Sequence, residues 1–183
     1  MANLKEIRIR ITSVNSTMQI TSAMKMVSAS KLKRAQRAVE QMRPFSEKLS
    51  KIIQNVSSNA GEVEGIYSKE SERKKVLILA IASNRGLCGA FNANIIKKVN
   101  HVIGEKYRDS DVSVLPIGKK AKDGMKGNYS ENLEGFPTSA HEIYDNLVFE
   151  SISDLYDATV EAFIAGRFDQ VVLVYNSFKN AAI

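Results

Sequence analysis

The residues Ile7 to Val56, IRIRITSVNSTMQITSAMKMVSASKLKRAQRAVEQMRPFSEKLSKIIQNV, carry the pattern on which the reading of this chain turns. Stepping alternately four and three from Ile7 gives Ile7, Ile11, Val14, Met18, Thr21, Lys25, Ser28, Leu32, Ala35, Val39, Met42, Ser46, Leu49, Ile53 and Val56, and eleven of these fifteen positions are apolar. A 3.5-residue period held for seven heptads marks the seam of a left-handed coiled coil, narrower than the stripe of a helix lying on a globular core. At about 1.5 Å per residue such a helix is about 80 Å long, so it must project beyond any small domain and pack against something else.

Three of the four breaks in the seam, Thr21, Lys25 and Ser28, are consecutive, and there the apolar residues move back one place to Ile20, Met24 and Val27. The segment Thr17 to Ser30 holds one charge, Lys25, and is rich in Ser, Thr, Ala and Met, a surface that admits close approach and soft packing from several sides. Lys31, Lys33, Arg34 and Arg37 follow, the last three opposite the seam through Leu32, Ala35 and Val39, which by itself describes a solvated face. Pro44 removes one helical hydrogen bond and predicts a kink, because the seam resumes at Leu49. Ser57 to Gly61 is expected to end the helix.

Residues 1–56 hold 11 Lys/Arg against 3 Asp/Glu, whereas the remainder holds 15 against 17, so the net charge of +6 belongs to the N-terminal segment alone. Such a segment attracts an acidic surface, whether nucleic acid, anionic lipid or a protein loop. A nucleic-acid zipper carries its basic cluster in an extension beyond the coil, and here Lys31 to Arg37 lie within it, which counts against that class. No apolar run approaches the length of a membrane span, and MANLKEIRIR has no signal-peptide core. Cys88 is the single cysteine, and His101 and His141 are 40 residues apart, so neither a disulfide nor a metal site is expected.

From Lys75 the texture changes. VLILAIAS is a short continuous apolar run, the mark of a strand buried on both faces. It leads through Asn84 to Gly89 into a helix expected over Phe91 to Tyr107, then a strand over Val112 to Leu115 ending at Pro116, and a short basic segment, Lys119 to Lys126. Gly127 to Pro137 reads as loop. Ser139-Ala-His-Glu142 fits a capping box and predicts a helix running to about Ala165, and QVVLVY from Gln170 predicts a third buried strand. The alternation implies a parallel sheet with right-handed crossovers in a Rossmann-like layer arrangement. The domain expectation is therefore a helix over 1–60, a linker over 61–74 and an α/β domain over 75–183. The turn Asn84 to Gly89 is the one place a phosphate could sit, but it matches neither nucleotide-binding glycine motif, so no cofactor and no catalytic residue is assigned. Cys88 reads as a small residue of that turn rather than a nucleophile.

Three segments, ITSAMKMVSASKLKRAQ (Ile20 to Gln36), SNRGLCGAFN (Ser83 to Asn92) and FDQVVLVYNSFKN (Phe168 to Asn180), resemble in sequence, order and spacing the gamma subunit of the rotary F-type ATP synthase. The resemblance implies a non-catalytic central shaft. In that family the N-terminal helix pairs antiparallel with a C-terminal helix of the same polypeptide inside the alpha and beta hexamer. The α/β domain sits below, on the epsilon subunit and the c-ring, and proton flow turns the shaft to cycle the beta sites. The seam residues would then be Ile7, Ile11, Val14, Met18, Leu32, Ala35, Val39, Met42, Leu49, Ile53 and Val56. The rotor-stator contact candidates are Arg10, Met24, Val27, Lys31, Lys33, Arg34, Arg37 and Arg85. Asn84 stands where the family often has Asp, which removes a charge beside Arg85. Relative to the family's usual length roughly a third is missing after Ile183, including the pairing helix. The resemblance and the lack of a transit peptide together imply a peripheral place on the cytoplasmic face of a bacterial inner membrane.

Overall fold

A computed structural model of the 183-residue chain describes residues 3–59, 74–127, 133–137, 140–145 and 148–178. The chain divides into two units, Met1–Val63 and Glu64–Ile183. Among the described residues the first is a single α-helix, α1, Leu4–Asn59, which continues through Pro44 without a break. Such a helix cannot bury its own apolar stripe, and among its described residues none is buried. Three threonines on its N-terminal half turn their hydroxyls back onto the helix: Thr12, Thr17 and Thr21 donate to the carbonyls of Arg8, Ser13 and Thr17 at 3.0, 2.9 and 2.8 Å.

The second unit is built on three strands, β1 (Lys75–Ile81), β2 (Asp111–Ile117) and β3 (Gln170–Val174), all parallel in the order β2-β1-β3. The sheet is open, and β1 is its central strand, the one buried along five consecutive residues from Val76 to Ala80. Val76, Ile78 and Ala80 enter one core with Ile95 and Val99 of α2 (Phe91–Lys106) and Ala121 and Met125 of α3 (Lys119–Met125). Leu77 and Leu79 enter the other with Phe136, Ile143 and Phe168, and with Leu155 and Ala162 of α4 (Phe149–Ile164). Helices thus cover both faces, which is the environment a continuous apolar parallel strand requires. At the entry end, Lys75 donates its amide to Asp169 Oδ2 at 2.9 Å and accepts the Asp169 amide at 2.8 Å, pinning the start of β3 to β1. The Tyr107 hydroxyl donates to Gln170 Oε1 at 3.0 Å beside it.

The α/β class and parallel sheet expected from the sequence are what the chain adopts. Three local readings need correction. β2 does not stop before Pro116 but pairs through it to Ile117, with Pro116 opposite Ala80. On an edge strand a missing N–H costs no ladder bond when it faces outward. The segment from Ser139 is not the start of a long helix: Ala140–Asp145 is a 3-10 helix, and α4 begins only at Phe149. The capping box rested on Ser139, which lies outside the described residues. Finally, β3 is an edge strand and only partly buried, with Leu173 58% exposed. The basic segment after Gly118 forms α3.

Candidate functional site

The turn that leaves β1 is held from inside by one side chain. Asn92, in the first turn of α2, accepts the Ser83 amide on Oδ1 at 3.0 Å and donates from Nδ2 to the Arg85 carbonyl at 3.2 Å and to Cys88 Sγ at 3.2 Å. The Ser83 hydroxyl lies 2.6 Å from the same Arg85 carbonyl and 3.0 Å from Asn92 Oδ1, and its single proton goes to the nearer acceptor. The Asn92 amide thus ties the start of the turn to its middle, engaging Ser83, Arg85 and Cys88 at once. Cys88 is exposed rather than tucked into the turn, and the thiol sits 3.9 Å from the Arg85 carbonyl.

A second set of contacts ties the turn to its neighbours. Asn84 Oδ1 accepts the backbone amide of Lys119 at 2.9 Å, while its Nδ2 donates to Asp145 Oδ1 at 3.0 Å. Lys119 Nζ reaches the other oxygen of Asp145 at 2.7 Å. The Lys119 hydrogen bond, then that of Asn84, with the charges of Lys119 and Arg85 adding, hold the Asp145 carboxyl below its ordinary range. An aspartate at position 84 would offer Asp145 a like charge in place of a donor, so the asparagine suits this particular neighbour. Gly118 permits the arrangement: at φ +98 it lets the chain cross the end of β1, where a Cβ would stand 2.2 Å from the Ala82 carbonyl oxygen. Burial nearby pushes the Tyr144 phenol up.

The clasp fixes the backbone of Arg85 through its carbonyl and leaves its guanidinium exposed and without an ion pair among the described residues. Leu87 stands wholly exposed beside it, at φ +60, a left-handed conformation that a leucine adopts only where the surroundings impose it. Leu87, Asn92, Lys119 and Asp145 were not among the residues the sequence singled out. The signal for Asn92 was the polar residue just inside the helix after a Gly-containing turn; nothing in the sequence pointed to Asp145.

On α1 the other candidates are spread along the helix, the seam residues on one side and Lys33, Arg34 and Arg37 on the other. The seam residues Ile11, Val14, Met18, Met42, Ile53 and Val56 are each more than half exposed, and Ile7, Leu32, Val39 and Leu49 are 41–46% exposed. Ala35 lies between them and is also exposed. Met24 and Val27 are 65% and 56% exposed. Arg10 pairs with Glu6 at 3.0 Å across one helical turn, a contact between exposed groups that contributes little. Lys31, Lys33, Arg34 and Arg37 have no ion pair among the described residues, and the last three share a shallow hollow with Ser30, Ala38 and Gln41. Arg85 belongs to the other unit, so the eight candidates fall into two groups, seven on the helix and one on the turn.

Among the described residues no group of three potential metal ligands gathers, and no helix is long and apolar enough to cross a membrane. The class is an α/β-layer protein whose chain also carries a long helix with an uncovered apolar seam and a basic band. Comparison with known proteins makes this specific. A family model described as ATP synthase matches residues 3–183. The ATP synthase gamma chain of Flavobacterium johnsoniae is 51% identical over the whole of this chain, and that of Christiangramia forsetii 50%. The ATP synthase gamma chain of Bacteroides thetaiotaomicron is 41% identical over the same extent. The chain belongs to the ATP synthase gamma-chain family, and it spans about 62% of the length of the first two of these relatives.

Proposed function

We propose that this chain serves as the central-stalk subunit of a proton-translocating ATP synthase, coupling rotation of the membrane c-ring to conformational cycling of the catalytic beta subunits. The observation that carries this reading is the family match over residues 3–183 taken with the exposed seam of α1, a surface with no use in an isolated helix. The seam receives an antiparallel helix from the rest of the polypeptide. The low-charge segment around Met24 and Val27 turns inside the alpha and beta hexamer, where a surface with one charge slides past unequal partners without a fixed ion pair to break. Arg10, Lys31, Lys33, Arg34, Arg37 and Arg85 meet acidic loops of beta. The α/β unit, over residues 75–183, stands on the epsilon subunit and the c-ring at the cytoplasmic face of the membrane. The subunit itself is non-catalytic, transmitting torque rather than performing chemistry.

The test is reconstitution. The full-length protein, mixed with its cognate alpha and beta subunits, should restore ATPase activity that the hexamer alone lacks, and an attached filament should rotate on ATP addition. A complex that forms with no gain in turnover overturns the shaft reading. Calorimetric titration of this chain with ATP should show no saturable binding in the micromolar range; saturation there favours a nucleotide-binding module instead.

A further inference from the structure

Arg85 is the one rotor-stator candidate outside α1, and its neighbours leave its charge uncommitted. A carboxylate of its own unit, Asp145, lies within range of that charge, which adds to the depression of the Asp145 carboxyl. Among the described residues no ion pair joins the two. Asp145 is engaged at both oxygens instead: Oδ1 accepts Asn84 Nδ2 at 3.0 Å, and Oδ2 accepts Lys119 Nζ at 2.7 Å, the short distance of a charge-assisted bond. Lys119 is brought there by its main chain, since its amide donates to Asn84 Oδ1 at 2.9 Å and the Lys120 amide donates to the Ser83 carbonyl at 3.0 Å. These two backbone bonds do not depend on the Lys119 ammonium.

Without that ammonium, Asp145 would keep Asn84 on one oxygen and offer the other to the next cation. Arg85 follows Asn84 directly in the chain, and its fork of donors suits a carboxylate better than any other side chain. Its carbonyl is already pinned by Ser83 and Asn92, so capture by Asp145 needs only rotation of the side chain. We propose that Lys119 is a positioning residue for Arg85: by occupying Asp145 it withholds a competing carboxylate and leaves the guanidinium for one on another chain. This rests on the reading that Arg85 meets an acidic loop of beta. Because all the groups are exposed, the competition changes the contact a few-fold and does not abolish it.

The experiment reads ATP turnover of the full-length subunit reconstituted with its cognate alpha and beta, with thermal melts reporting the fold of each variant. Lys119→Met should move turnover in the direction that Arg85→Ala moves it, by about two- to fivefold. Adding Asp145→Asn to Lys119→Met should return turnover to the unsubstituted value, and Lys119→Met should add nothing once Arg85 is alanine. A merely structural contact would not be rescued by removing its second partner. Failure of that rescue, or an effect of Lys119→Met that persists in the Arg85→Ala background, overturns the proposal and leaves the shaft reading standing. So does normal turnover in Arg85→Ala. An Arg85→Ala change that lowers the melting temperature of the isolated full-length chain places the acceptor in the same polypeptide and also overturns it. No gain in turnover from the unsubstituted subunit refutes the shaft reading and this proposal with it.

Discussion

Replacing Asn92 by alanine separates the clasp of the β1 turn from the fold that surrounds it. The substitution leaves the half-buried Ser83 amide without its acceptor, while the Arg85 carbonyl keeps the Ser83 hydroxyl at 2.6 Å. An unpaired amide in a partly dry site costs about 1–2 kcal/mol, and the lost bond to the carbonyl about 1 kcal/mol. The turn should therefore open more easily by about 2–3 kcal/mol, and because about 1.4 kcal/mol is a factor of ten, Ser83 amide exchange should speed up by roughly 30- to 150-fold. Hydrogen exchange read by mass spectrometry or NMR checks this, with Ile78 and Val99, deep in the core, as the internal reference. Asn92→Asp distinguishes the two halves of the contact: it keeps the acceptor for Ser83 but faces the Arg85 carbonyl with a second acceptor. It should protect Ser83 and free Arg85. Unchanged exchange at Ser83 in the alanine variant would refute the view that this side chain organises the turn, and a uniform rise across the core would show that it acts on global stability instead.

Gly118→Ala should destabilise the α/β unit by more than about 2 kcal/mol in a thermal melt, because the new methyl group meets the Ala82 carbonyl oxygen at 2.2 Å and φ is +98. Ile78→Ala, at a fully buried position of β1, should cost about 2–5 kcal/mol by urea unfolding. The Asp145 contacts give a pH signature: since its pKa is depressed in the folded state, their contribution is present above the ordinary value near 3.8 and lost as pH falls through the lower folded value. Acid titration should accordingly loosen the 83–92 turn below about pH 4, and Asp145→Asn should remove that dependence. On α1, Leu32→Asp should weaken assembly of the full-length subunit with alpha and beta at least about tenfold in a reconstitution titration while leaving the α/β melt unmoved, because a seam leucine contributes about 1.5–3 kcal/mol only once covered.

Long-period order was legible in the sequence because helix and buried strand impose regular spacings on apolar residues. The seam from Ile7 to Val56 needed only a 3.5-residue count, and VLILAI at 76–81 is typical of a strand with both faces in a core. Chain order, not distance, was also enough to recognise the three segments shared with the gamma-chain family. What the tertiary structure decided depends on contacts between residues far apart in sequence. Whether Pro116 ends a strand depends on the strand lying at the edge of the sheet, which is a fact about its neighbours. The 3-10 turn and the delayed start of α4 depend on how Ala140 and Ile143 seat in the core. The pairing of Asn84 with Asp145, 61 residues away, makes sense of an asparagine that on its own looked only like a missing charge. The division of α4 was invisible for the same reason: in the sequence both of its apolar faces read as hydrophobic, and only the packing of Leu155 and Ala162 in the core with Leu77 and Leu79 showed which one this core takes up.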